Sequence, residues 1–176
     1  MKEEIKDRNN FVGFEYKEIT VKKTMQSVYL DNYRDFGWIS EGDSVPVGKP
    51  EYVTLKFKRD RKIRNKAELT RLQRQFETYV TEILYLEALK TRRAAATAFV
   101  VGIIGTGFIT GSVFAVTAEN VAACVIFAIP GFIGWIIPYL LYRNIKRKKT
   151  EKIDPQITQK YEELYTVCER ANMLLE

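Results

Sequence analysis

Four carboxylates, Asp31, Asp35, Glu41 and Asp43, cluster around a Gly37-Trp38 step. Such groups can exchange protons or hold a cation, and the simpler reading is the solvated face of a helix, the ordinary place for carboxylates. The chain has no histidine, so the commonest general base and metal ligand is missing, and its two cysteines, Cys124 and Cys168, cannot assemble a zinc site alone. No P-loop, nucleophile elbow or paired-carboxylate motif is present, and the glycines of residues 102–111 lie in an apolar run without a lysine. An enzyme acting on lipid head groups would have to work without any recognisable constellation. The expectation is no enzyme, no cofactor and no metal.

The other chemistry-bearing groups are cations. Arg59, Arg61, Lys62 and Arg64 lie in the run KRDRKIRNK, and Arg143, Lys146, Arg147, Lys148 and Lys149 form a second concentration. Both can meet anionic lipid or a partner protein, and the first also reads as a solvated turn between strand and helix. Nucleic acid is the weakest reading, because no aromatic residue interrupts the first run for base stacking.

What positions these groups is a long apolar stretch. No charge occurs between Arg93 and Glu119, nor between Glu119 and Arg143, leaving blocks of 25 and 23 residues. About 20 apolar residues cross a bilayer as a helix, so residues 94–117 and 121–142 are predicted to form a transmembrane hairpin. A mean hydropathy of −0.22 hides this, since averaging dilutes the two blocks. Lys90, Arg92 and Arg93 precede the first span and the 143–149 cations follow the second, while the connector has no Lys or Arg. Both termini are therefore predicted to be cytoplasmic, at the cell (inner) membrane, with Tyr139 and Tyr142 at the inner interface. These flanking cations account for more than the net charge of +6. The opening MKEEIKDRNN is polar, so no cleaved signal peptide is expected. Both cysteines are expected to be reduced.

Within the first span Ala94, Ala98 and Gly102, then Gly107, Gly111 and Ala115, recur at four-residue steps. Small residues let backbones approach, within the hairpin, between copies, or against another partner. Pro130 predicts a kink in the second span. No ionisable group lies in either span, which argues against a pump, since proton and ion pathways use such groups. A homo-oligomeric pore would have Thr97, Thr106, Thr110 and Ser112 as its polar lining.

Residues 1–10 are predicted to be a flexible tail and 11–62 a cytosolic module. In residues 11–23, Phe14 and Tyr16 share one strand face and Ile19 and Val21 the other, a phase change near Glu18 that predicts a bulge or two covered faces. A short helix follows, with Thr24 as N-cap and Gly37 as stop; Trp38 and Ile39 open a second strand, residues 41–50 are a loop, and Val53, Leu55 and Phe57 alternate in a third strand. The order is β-α-β-β. Phe14 to Lys17, Gly37-Trp38 and the Lys-Phe-Lys-Arg run at 56–59 resemble small β-α-β-β domains in two-span membrane proteins of Gram-positive bacteria, a resemblance that implies no activity.

Residues 63–93 are predicted to be a stalk helix continuous with the first span, carrying Leu69, Leu72, Phe76, Tyr79, Ile83 and Leu86 as a heptad stripe. After a basic juxtamembrane segment, 143–153, residues 154–176 repeat the pattern with Ile157, Tyr161, Leu164, Cys168, Ala171 and Leu175, behind Asp154 and Pro155 as a helix start. An antiparallel stalk follows, within one chain or between two. The expected architecture is an α+β membrane protein: a two-helix transmembrane hairpin, a cytosolic βαββ module and an antiparallel helical stalk. The expected role is a non-enzymatic membrane interaction protein that scaffolds or regulates a complex, partnered by the bilayer and by itself or another membrane protein. The alternative is a small homo-oligomeric channel or membrane-permeabilising protein.

Overall fold

A computed structural model describes residues 13–118 and 120–175, so the expected tail, the first two residues of the module, Glu119 and Glu176 lie outside the described residues. The fold is α+β, with a three-stranded antiparallel sheet and two long apolar helices. In chain order these are β1 (Phe14–Lys22), α1 (Gln26–Asn32), β2 (Ile39–Ser44), β3 (Tyr52–Asp60), α2 (Lys66–Thr117) and α3 (Val121–Asn172). The chain divides into two units, one formed by Met1–Val80 with Glu162–Glu176 and the other by Thr81–Tyr161.

In the first unit the sheet order is β1-β3-β2, which puts the most regularly alternating strand in the centre. Val53, Leu55 and Phe57 are at most 1% exposed, so β3 supplies the floor of the core. β1 pairs with β3 in unbroken register from Phe14↔Asp60 to Lys22↔Tyr52, and the expected phase change at Glu18 does not occur. Its covered face is Glu15, Lys17, Ile19 and Val21, whereas Phe14 and Tyr16 face outward. The bulge is in β2 instead, between Ser40 and Gly42, and β2 runs on to Ser44 where a loop was expected.

Between β1 and β2 the chain makes a 3-10 turn (Lys23–Met25), α1, and a second 3-10 turn (Tyr33–Phe36). Thr24 is not the N-cap: it lies inside the first turn, and the Lys23 amide donates to the Glu51 carbonyl at 2.9 Å. Gly37 stops the segment in the left-handed region (φ 79°), where a side chain is disfavoured, and a Cβ there would overlap Ile63. The Trp38 amide then bonds the Tyr33 carbonyl, and the chain turns Trp38 into the interior.

The stripe that α2 buries in this unit is Leu69, Leu72, Gln73, Phe76 and Val80. Val80 thus takes the place expected for Tyr79, which is half-buried. Phe76 is the hub, lying 5.5 Å from Tyr29, 5.9 Å from Tyr33 and 5.6 Å from Phe36 between ring centroids. From α3, Leu164, Val167, Cys168 and Ala171 are buried. The small βαββ element therefore completes its core with helix ends, as expected for a segment too short to bury enough surface alone.

In the second unit α2 and α3 run antiparallel, as the contacts Gly105–Gly134, Ser112–Cys124 and Lys90–Asp154 require. α3 passes through Pro130, Pro138 and Pro155 without interruption, so no new helix starts at Asp154. The Asp154 carboxylate pairs with Lys90 at 2.6 Å rather than capping an amide, and Pro155 is exposed, so water can meet the carbonyl it deprives of a donor. At the connection, the Asn120 side chain accepts from the Ala123 amide at 3.1 Å and caps α3.

Candidate functional site

The densest set of ionisable groups lies between the inner face of the sheet and α2. Because β1 keeps its register, Glu15 stands beside Arg59 and Lys17 beside Phe57 on that face. Arg59 is 3% exposed; its guanidinium binds Glu15 and the Phe36 carbonyl and stacks 4.4 Å over the Trp38 ring. Lys66 binds the other Glu15 oxygen. About three turns further along α2, Glu77 Oε1 accepts from Lys17 (2.7 Å), Tyr33 (2.7 Å) and Gln73 (2.9 Å), while Gln73 accepts from the Trp38 indole at 2.8 Å. Burial alone would raise the Glu15 and Glu77 carboxyls, but the hydrogen bonds and positive charges around them hold both below the ordinary value. Burial and the Glu77 acceptor push the Tyr33 hydroxyl far above its usual range.

This network is closed. Among the described residues no buried side-chain polar atom lacks a partner, and no group of three His, Cys, Asp or Glu could hold a metal. Tyr33 keeps its proton and Glu77 keeps its charge, so the pair holds the sheet to α2. The clustered carboxylates also separate: Glu41 pairs with Lys58 at 2.8 Å, Asp43 accepts from Gln26 at 3.3 Å, Asp31 is exposed, and burial raises the Asp35 carboxyl.

No family model, curated protein or solved structure matches this chain. What the chain offers a partner is therefore read from its surfaces.

The outward face of the sheet is the first. Tyr16 and Ile39 both stand opposite Lys58, are 69% and 55% exposed, and with Phe14 make an apolar patch around that cation. Lys58 lies 5.5 Å over the Phe14 ring. The sequence predicts that Phe14 and Tyr16 share one strand face and Ile19 and Val21 the other, with a bulge between them or both faces partly covered; neither is found, and Phe14 and Tyr16 are exposed. The missed signal is that Glu15 and Lys17 are in phase with Ile19 and Val21, which puts paired charges inside and aromatics outside.

The expected cationic contacts divide. Arg59 is a buried structural group and is withdrawn from any lipid surface, which corrects that expectation. Arg61, Lys62 and Arg64 are exposed on the turn before α2, where the Lys62 amide is held by Asp60. Arg143, Lys146, Arg147 and Lys148 are exposed on α3, and Lys149 is half-buried.

The small residues of the apolar helices also divide. The tightest approach is Gly105 against Gly134, where a Cβ on Gly134 would come 2.7 Å from the Gly105 Cα, and a Cβ on Gly131 would come 2.6 Å from Ile109. Neither Gly105 nor Gly134 belongs to the expected stripe. Ala94 is fully buried, Ala98 and Ala115 are half-buried, and Gly111 looks onto Phe127 at 3.8 Å, while Gly102 and Gly107 face open space. Ser112 donates across to the Cys124 carbonyl at 3.1 Å. Thr97, Thr106 and Thr110 donate to carbonyls four residues back in their own helix, so their protons are already engaged. Pro130 is half-buried within α3.

Proposed function

We propose that the chain is a two-span integral membrane protein whose sheet-bearing unit is a non-enzymatic cytosolic interaction module, scaffolding or regulating another membrane component. One observation carries this reading: the most apolar windows of α2 and α3, with mean hydropathies of 2.0 and 2.2, are only 11% and 6% buried. A core helix of a water-soluble protein buries such a window. Here Phe99, Ile103, Phe114, Ile126, Phe132 and Trp135 all point away from protein, and contact with lipid tails removes them from water. Cations at the 90–93 and 143–149 ends favour termini on the cytoplasmic side. The closed Glu15 and Glu77 networks favour binding over catalysis, and the patch of Phe14, Tyr16 and Ile39 is the surface offered.

The test is a photo-crosslinking residue at Tyr16 in native membranes, with one at the exposed Thr158 of α3 as control. The reading expects a discrete adduct from Tyr16 that Ile39→Asp abolishes without changing the protein's level. Adducts of equal pattern from both positions, or none, would contradict it.

A further inference from the structure

Several cations sit against an acid: Lys17 with Glu77, Arg59 and Lys66 with Glu15, Lys56 with Glu18, Lys58 with Glu41, Arg71 with Glu68, Lys90 with Asp154, Lys160 with Glu82. Arg143, Lys146 and Arg147 form no such pair among the described residues, and they stand together on one helix face. Together with Tyr139, Tyr142, Thr150 and the Glu151 carboxylate they line a groove on α3. The spacing explains the shared face: 139, 143, 146–147 and 150 follow three- and four-residue steps of a helix. Tyr142 sits under the Lys146 ammonium at 5.9 Å, and Tyr139 is 68% exposed.

We propose that this groove is a binding site for one anionic phospholipid, its phosphate held by Arg143, Lys146 and Arg147 and its glycerol and upper acyl chains laid along Tyr142, Tyr139 and Ile136. The proposal rests on the membrane reading. What selects a lipid over a free anion is the gradient along the groove. Its polar end carries three cations against the single carboxylate of Glu151, and two of the cations are guanidiniums suited to bidentate phosphate contact. Its other end runs into the uncharged block of residues 120–142, so the groove changes from charge to hydrocarbon in the same order as a lipid molecule. Tyrosines at the junction have an apolar body and a polar tip, which suits the interface between the two. Lys148 and Lys149 line a neighbouring groove with Ile145, Lys152 and the shared Glu151, and so supply an internal control in which the same number of charges is removed.

The experiment reconstitutes the full chain in nanodiscs of phosphatidylcholine containing a small fraction of phosphatidylglycerol and measures retained lipids by native mass spectrometry. The expected result is one phosphatidylglycerol retained per chain. Retention should weaken about tenfold more in Arg143→Gln with Arg147→Gln than in Lys148→Gln with Lys149→Gln, the size of one charge-assisted contact. Equal weakening in both pairs would mean diffuse charge attraction and would overturn the site. Displacement by soluble glycerol phosphate as effective as by the lipid would make it a free-anion site and also overturn it. Insertion into pure phosphatidylcholine discs is scored separately: a chain that inserts but retains no phosphatidylglycerol refutes the site alone, and one that fails to insert refutes the membrane reading as well.

Discussion

The Tyr33 hydroxyl donates to Glu77 at 2.7 Å across 44 residues of sequence, joining the turn after α1 to the middle of α2's buried stripe. Lys17 reaches the same oxygen from β1, so a single carboxylate ties strand, turn and helix together. Replacing it leaves three donors without their acceptor in a half-buried place.

Glu77→Ala is therefore expected to destabilise the first unit by about 1–3 kcal/mol, the cost of stranding buried polar partners. The pH dependence has a definite sign. Because the folded carboxyl lies below its ordinary value of 4.5, its contribution is fully present above that value and is lost as pH falls through the lower folded value. Denaturant unfolding at pH 7 and at stepwise lower pH should show part of the acid loss disappearing in Glu77→Gln. An unchanged acid limb would contradict the role given to this residue, with Glu15 left as the main source of that limb.

Phe76→Ala is expected to cost about 3–5 kcal/mol, since the ring is fully buried among Tyr29, Tyr33 and Phe36. Tyr79→Ala, on the expected heptad but only half-buried, should cost less than half as much, and Val80→Ala more than Tyr79→Ala. Equilibrium unfolding of the three variants separates a heptad seam from the observed stripe.

Those two stripes show how far the residues spoke for themselves. Alternating Val53, Leu55 and Phe57 predicts β3, Gly37 predicts the stop it makes, and uninterrupted charge-free blocks predict the long apolar helices. Local patterns mislead where a tertiary partner changes the meaning of a residue. Glu15 and Lys17 look solvent-facing until Arg59, Lys66 and Glu77 meet them, and Arg59 looks like a surface cation until Trp38 and Glu15 enclose it. Asp154-Pro155 has the form of a helix start, yet Asp154 is taken by Lys90 and the helix continues. Four-residue small-residue steps select Gly107, whereas the helix pair closes through Gly105 because Gly134, an element of the other helix, lies opposite it.

That contact gives a third expectation. Gly134→Leu should force α2 and α3 apart, while Gly107→Leu should leave them in place, since Gly107 faces open space. The readout is oxidative crosslinking of Ser112→Cys to Cys124, whose wild-type side chains lie 3.2 Å apart. The disulfide should form in the Gly107→Leu background and drop severalfold in Gly134→Leu. The reverse order would restore the predicted stripe as the packing face.

Cys168 supplies a probe of folding. Burial, with a smaller contribution from Asp35, pushes its thiol up to about 12, so the thiolate is scarce at pH 8. Alkylation in the native protein should be slower than in denaturant by at least about 100-fold, because both access and ionisation are withheld. Comparable rates in the two states would place Cys168 outside the core.

The membrane reading is tested most directly by thiol accessibility in intact cells. In a Cys124→Ala, Cys168→Ala background, a membrane-impermeant maleimide should label Asn120→Cys at the helix connection before the cells are permeabilised. Val47→Cys, on the fully exposed loop between β2 and β3, should be labelled only afterwards. Labelling of both positions only after permeabilisation, with the protein recovered in the soluble fraction, would contradict the account.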